Sequence, residues 1–299
     1  MNKAIIFPGQ GSQIVGMTHD LYNESSNCRD LFDEANEILK YDLSSVCFDG
    51  PQEKLNQSNY AQLGIFVSSV ALFNFLKSNN FTNEINYLAG HSLGEWTALH
   101  IAESISFQDT VKILEARGKF MQEACEIEKG AMLAVINLQI EELINISKET
   151  NCYIANFNSP MQTVLSGSNS SIDKAENLVK TKGAKRAIRL PVAGAFHSPL
   201  MSLASQKLDS FLTKFDLKIP QINVLSNVTG DVHQPLNIHE YMVKQITSSV
   251  RWVDCVETLA RNGVNEIIEC GPGKVLTGLI KRIDKTLEVR NISGLSDIN

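Results

Sequence analysis

The stretch Leu88-Ala89-Gly90-His91-Ser92-Leu93-Gly94-Glu95-Trp96 leaves this chain few ways to fold. A short apolar run, Tyr87–Ala89, stops at a G-x-S-x-G pattern, and the helix-forming EWTALHIAES comes at once after it. Such spacing describes a tight strand-to-helix turn with strained backbone angles, from which the hydroxyl of Ser92 stands clear of the sheet. A side chain at 90 or 94 would collide with the turn, hence glycine at both. A strand feeding a helix in this way belongs to an α/β layer arrangement. The helix N-terminus behind Ser92 also puts partial positive charge where an oxyanion would form. A glycine-lined turn with an incidental serine is the bland alternative, and the strand–turn–helix context favours a nucleophile.

The rest of the chain alternates in the same manner. Ala4–Phe7 reads as a first strand, Asp30–Leu39 and Ala61–Leu76 as helices, and Phe107–Ala124 as a helix. Between them and the C-terminal part the order changes. Ala131–Leu138, Tyr153–Asn156, Thr163–Ser166 and Lys185–Val192 read as strands, with helices at Ile140–Thr150 and Ser171–Lys182. That β-α-β-β-α-β order is the ferredoxin-like split unit. It predicts a small domain over 127–194 inserted into a large α/β domain made of 1–126 and 195–299. The large domain resumes with a helix from about Leu200, a strand at Ile222–Ser226, a helix at Val250–Arg261 and the strand Glu266–Glu269.

Composition narrows the function. A formal net charge of −6 over 299 residues lacks the basic excess of a nucleic-acid footprint, although a local basic patch for an acidic partner remains open. The six cysteines are scattered without a C-x-x-C pair, the pattern of reduced, mostly buried thiols. The longest apolar stretch, Leu63 to Leu76, is too short to span a bilayer. MNKAIIFPGQG lacks the long apolar segment of a signal peptide. The expectation is a cytoplasmic protein without membrane or nucleic-acid contacts.

FPGQGSQ, residues 7–13, resembles a phosphate loop but fails as one. Gly9 and Gly11 fit a dinucleotide fingerprint, yet the third glycine position holds Ile14, and no Walker sequence is present. A serine nucleophile needs a base, and spacing does not choose among His19, His91, His100, His197, His233 and His239. His197, in LPVAGAFHSPLM, lies downstream of the serine as the hydrolase chain order requires, with a structural histidine as the alternative. Asp209 and Asp231 are available to orient it, and nothing recommends either. Arg117 shares a helical stripe with Ile113, Phe120 and Ala124, and it precedes Gly118, which suggests that something approaches closely. A guanidinium on an apolar stripe wants an anion. That anion is an internal carboxylate or a substrate carboxylate held bidentately; otherwise the side chain snorkels to solvent.

Together FPGQGSQ, GHSLGE, RGKFMQEA (117–124), NFNSP (156–160), AFHSPLM (195–201) and ECGPGKVLTGLIKR (269–282) resemble the malonyl-CoA:acyl carrier protein transacylases of fatty acid synthesis. The match runs from residue 4 to about 285, with motifs in family order. The resemblance implies a hydrolase-like α/β core with a parallel sheet and an inserted ferredoxin-like subdomain. It implies Ser92 as the acylated nucleophile, His197 as base and then acid, and Arg117 as partner of the malonyl carboxylate. The histidine would be oriented by a backbone carbonyl, at Gln245, rather than by an acid. The oxyanion would be held by the backbone N–H groups of Leu93 and Gln10, so that FPGQGSQ cradles a transient anion. The sequence departs from the family at Ala61-Gln62-Leu63, where Gln-Pro is usual, and at Trp96; Gln62 is expected to line the site. Phe196 before the histidine resembles the malonyl-preferring form of that segment.

The activity implied by the resemblance is malonyl transfer from malonyl-CoA to the phosphopantetheine thiol of acyl carrier protein, by ping-pong chemistry without metal or redox cofactor. Lys281 and Arg282, with Lys182, Lys185 and Arg186, are candidate contacts for the acidic carrier, solvated surface lysines being the alternative. A monomer is expected. A free-standing acyltransferase serving a polyketide synthase, a serine acyl hydrolase, and a non-catalytic carrier-binding subunit are the competing readings.

Overall fold

A computed structural model describes residues 2–82, 84–192 and 194–298. The first strand, β1 (Asn2–Phe7), and the strand before the serine turn, β2 (Ile85–Gly90), lie side by side and parallel, with Ile6 opposite Ala89 and Phe7 opposite Gly90. Both therefore end at the same edge of the sheet, and His91 N–H donates to the Phe7 carbonyl at 3.1 Å. The loop FPGQGSQ and the turn GHSLG are neighbours for that reason.

The remaining strands are β3 (Gly130–Ile136), β4 (Tyr153–Ser159), β5 (Gln162–Ser168), β6 (Arg186–Arg189), β7 (Asn223–Val224), β8 (Val264–Cys270) and β9 (Glu288–Ile292). The large sheet has the order β7-β2-β1-β8-β9, and all four pairings are parallel. Its two faces are covered by different helices. Ile5 and Phe7 of β1 pack among the helices Ser58–Ser78, Leu93–Ile101 and Phe107–Ile127, while Ala4 and Ile6 pack on Trp252–Arg261 and Val275–Ile283. Alternate residues point to opposite faces, and both faces are dry, so β1 reads as a continuous apolar run.

The helix Ser58–Ser78 is long and apolar enough to cross a membrane by length and composition, but every residue from Ala61 to Phe73 is buried inside the protein. It is apolar all round because protein surrounds it.

The small sheet is antiparallel in the order β4-β5-β3-β6. The helices Ile140–Thr150 and Asn169–Thr181 cover one face through Leu133, Val135, Ile146, Leu165 and Ile172. The other face turns Met132, Ala134 and Val164 towards the main core. The element order is the ferredoxin-like one.

Two expected strands are shorter than their apolar runs. β6 stops at Arg189, and Leu190–Val192 turn aside to wall a cavity. β7 pairs with β2 only through Asn223 and Val224, because Ser226 N–H is already taken by the Asp231 carbonyl. The helix Val275–Ile283 and the strand β9 are additions to the expected elements.

Candidate active site

Ser92 sits at the end of β2 with φ 53 and ψ −107, a strained conformation for a residue with a side chain. The turn is as crowded as its glycines imply: a Cβ on Gly94 would lie 2.2 Å from the Phe7 carbonyl oxygen, and one on Gly90 1.9 Å from the Gly94 carbonyl carbon. A second brace comes from far away in sequence. Ser92 N–H donates to Asn227 Oδ1 at 2.6 Å, and Asn227 Nδ2 donates to the Gly90 carbonyl at 2.8 Å.

His197 approaches from the segment between β6 and the helix Ser202–Leu212. Its Nε2 lies 2.9 Å from Ser92 Oγ, and its Nδ1 lies 2.8 Å from the Gln245 carbonyl oxygen. A carbonyl only accepts, so Nδ1 carries the proton and Nε2 is left bare to accept from the serine hydroxyl. Burial pushes the imidazole down to about 3, with the Arg117 charge acting in the same direction and the Gln245 carbonyl against it. The ring is thus neutral, the form a base requires.

The two aspartates weighed as orienting acids lie elsewhere. Asp209 bonds His239 at the surface, 2.8 Å away, and Asp231 accepts from the Val232 N–H within a turn. The other histidines are also engaged apart from Ser92: His91 with Asn158, His100 with the Ile105 carbonyl, and His233 with Glu95.

A base held this far down stays neutral well into acid. The kcat/KM for the acyl donor is therefore expected to stay level from pH 8 to about pH 5, with no limb near the ordinary histidine value of about 6.5. Arg117→Ala removes one of the charges that lowers the imidazole and should shift any acid limb upwards. A pH profile with a break between 6 and 7 in the unaltered enzyme would contradict this account.

Arg117, on the helix Phe107–Ile127, is 1% exposed. It neither snorkels nor meets a carboxylate directly. Nη1 donates to Gln62 Oε1 at 2.5 Å, and Nη2 donates to Gln245 Oε1 at 3.1 Å and to Ser92 Oγ at 3.3 Å. All three acceptors are neutral, and Nε has no partner among the described residues. Burial lowers the guanidinium to about 10, partly opposed by Glu95, so it remains charged at neutral pH. The close approach signalled by Gly118 is that of another helix: a Cβ there would lie 2.8 Å from Asn59 Cα.

These groups meet in a cavity of about 340 Å³, whose lining includes Gln10, Ser92, Leu93, Arg117, Phe196 and His197. Leu93 is the first residue of the helix Leu93–Ile101, so its N–H has no acceptor within that helix. Gln10 anchors its side chain on Ser58 Oγ at 3.2 Å, and Ser12 Oγ ties back the Gly9 carbonyl at 2.7 Å. Gln62 differs from the expectation. It is fully buried behind Arg117, outside the lining, and acts on the cavity through two residues that line it, Arg117 at Oε1 and Met121, whose Sδ accepts from Nε2 at 3.6 Å.

A strained serine with a neutral histidine on one side and a buried cation on the other suits acyl transfer. The acyl transferase domain family model matches residues 4–295. The chain belongs to this family. The acyltransferase is 40% identical over 296 residues to the Bacillus subtilis protein named malonyl CoA-acyl carrier protein transacylase, covering 97% of this chain and 93% of that one. It is similar, with a TM-score of 0.95 and 40% identity, to the crystal structure of an acyl carrier protein S-malonyltransferase from Vibrio cholerae, covering 100% of this chain and 99% of that one. It is also similar, at a TM-score of 0.96 and 36% identity, to a malonyl-transacylase in complex with its type II PKS acyl-carrier protein, with 100% and 98% covered.

Outside the cavity the five surface cations are not equivalent. Lys182 is already paired with Glu142 at 2.9 Å. Lys185, Arg186, Lys281 and Arg282 are exposed. Register puts the two arginines on one side of the small sheet: Arg186 lies opposite Ile136, Ile136 opposite Gln162, and Arg282 Nη1 reaches Gln162 Oε1 at 3.4 Å, with Lys185 and Lys281 as their neighbours in the chain. All six cysteines are free and buried. Among the described residues, no three histidine, cysteine or acidic side chains converge as a metal site.

Asn227 and Glu95 have no role of their own in the sequence-based reading, and His233 enters it only as one of six histidines available as the base. Asn227 belongs to an N-x-T triplet, which carries no meaning for a turn brace. Glu95 stands inside the GHSLGE motif itself, the one signal that could have found it.

Proposed function

We propose that this acyltransferase carries malonyl groups from malonyl-CoA to the phosphopantetheine thiol of acyl carrier protein through an ester on Ser92. The observation that carries the reading is the buried Arg117 with Nη2 at 3.3 Å from Ser92 Oγ. A cation kept from water beside a nucleophile is a costly arrangement unless an anion completes it, and the malonyl carboxylate is such an anion.

Ser92 attacks the thioester carbonyl while its proton passes to His197 Nε2. The oxyanion forms against the Leu93 and Gln10 N–H groups; losing one such donor typically costs about 3 kcal/mol in barrier. The tetrahedral intermediate collapses, the C–S bond breaks, and the CoA sulfur takes the proton from His197. The carrier thiol then gives its proton to His197 and attacks the ester, which returns Ser92 to its hydroxyl form. These steps need no metal or redox cofactor. The six buried thiols support a reducing, cytoplasmic setting. The two-domain partition at 127 and 195 supports a cleft in which the ester is shielded from water.

Incubation with malonyl-CoA, followed by mass spectrometry, is expected to show a malonyl adduct on the Ser92 peptide that disappears when carrier protein is added. Rapid release of free malonate without carrier would instead make the protein a hydrolase. The likeness to the type II PKS pair favours a second reading of the pathway, with the same chemistry on a polyketide carrier. Relative kcat/KM on fatty acid and polyketide carriers separates the two.

The cluster of Lys185, Arg186, Lys281 and Arg282 is the surface that suits carrier docking. Reversing Lys281 and Arg282 to glutamate is expected to raise KM for the acidic carrier about tenfold and leave malonyl-CoA unaffected. An unchanged carrier KM would remove this surface from consideration.

A further inference from the structure

The mechanism leaves a buried acid–base pair beneath the serine turn without a role. Glu95 stands in the first turn of the helix Leu93–Ile101, and its side chain is fully buried, as is that of His233. The carboxylate accepts three hydrogen bonds. Oε1 takes one from His233 Nε2 at 2.6 Å; Oε2 takes one from the Asn227 N–H at 3.1 Å and one from Gln245 Nε2 at 2.6 Å.

A carboxylate offers acceptors only, so it decides which end of the Gln245 carboxamide can face it. Nε2 must turn towards Glu95, where it also donates to the Ser92 carbonyl at 2.9 Å. Oε1 is then left facing Arg117 Nη2 at 3.1 Å. The opposite orientation would aim N–H donors at a guanidinium. Glu95 also supplies a counter-charge to Arg117 without touching it. A direct ion pair would neutralise the guanidinium, whereas the neutral carboxamides of Gln62 and Gln245 leave its charge for a substrate carboxylate, with Nε still without a partner among the described residues.

We infer that Glu95, held by His233, is a positioning residue that orients the Gln245 carboxamide and, through it, the Arg117 clamp that selects carboxylated acyl groups. The same carboxylate steadies Asn227, whose side chain braces Ser92 N–H, and Gln245 carries the carbonyl that holds His197. Clamp, turn and base share one buried anchor. The inference rests on the reading of Arg117 as the malonyl clamp.

The test compares kcat/KM for malonyl-CoA and acetyl-CoA, which share every step except the clamp. In Glu95→Gln, a carboxamide faces three donors with only one acceptor oxygen, so the Gln245 amide loses its fixed orientation. The malonyl-to-acetyl ratio is expected to fall at least about tenfold, through KM for malonyl-CoA rather than kcat. His233→Leu should lower it likewise, whereas His233→Gln keeps a donor and should hold the ratio within about threefold. If Glu95→Gln does not fold, Gln245→Met carries the test, since it keeps the carbonyl for His197 and removes the carboxamide. Equal losses on both substrates, or a ratio unchanged or raised in a folded variant, overturn the inference and leave the clamp standing. An unaltered enzyme with no preference for malonyl-CoA overturns both.

Discussion

Ser92→Ala is expected to abolish the acyl adduct and lower transfer to the carrier by about 10⁴-fold or more, since removing a nucleophile of this type costs on that order. The geometry explains the size of the effect. Ser92 Oγ is the hydroxyl that His197 Nε2 reaches at 2.9 Å, and with it gone His197 has no proton to take. The cavity, the helix N-terminus and Arg117 would still bind the thioester, so malonyl-CoA affinity should change little. Stability should not fall, because the backbone at 92 is strained with any side chain. Ser92→Gly is a sharper control: it should be equally inactive yet gain roughly 1 kcal/mol, as the φ of 53 ceases to be costly. Intact-mass measurement after exposure to malonyl-CoA, with a melting curve for each variant, checks both halves. Near-native transfer by Ser92→Ala would mean a subunit that binds the carrier and leaves catalysis to another protein.

How much of this was legible beforehand depended on how far apart the interacting residues lie. The serine turn is a local steric matter, and Gly90 and Gly94 declare it within five residues; the same holds for the βαββαβ order of the small sheet. Arg117 was conspicuous because a charge on an apolar stripe contradicts its helix. Partners were less accessible. Nothing in the spacing links His197 to the carbonyl of Gln245, 48 residues on, because a carbonyl is present at every position. The Asn227 brace spans 135 residues and the Glu95–His233 bond 138. An asparagine or histidine in such a place looks like any surface polar residue until the chain is folded. Gln62 shows the opposite error. Its position beside the site was foreseen, but not that it stands behind the guanidinium with no share of the cavity wall. The shortened β7 has a similar cause: the apolar run Ile222–Ser226 records burial, whereas pairing with β2 ends once Ser226 N–H bonds Asp231.

Arg117→Ala should be the most selective change available. A buried charge that loses its partner typically costs about 3–5 kcal/mol, so kcat/KM for malonyl-CoA is expected to drop by about 10²–10⁴-fold. Acetyl-CoA brings no carboxylate, and its own kcat/KM should stay the same or rise as a desolvated cation leaves the pocket. Arg117→Lys should fail to rescue. Gln62 Oε1 and Gln245 Oε1 receive separate nitrogens, Nη1 and Nη2, of one planar fork, and an ammonium on a flexible stem satisfies one of them at a time. The charge leaves a second signature. Arg117 helps to keep His197 low, so in the alanine variant the imidazole rises and the acid limb of acetyl transfer moves to higher pH. In the proposed ester on Ser92, a malonyl carboxylate beside Arg117 would screen its charge and leave His197 a better proton acceptor for the incoming thiol. Parallel losses on both thioesters, with no shift of the acid limb, would show that Arg117 merely fills space beside the serine.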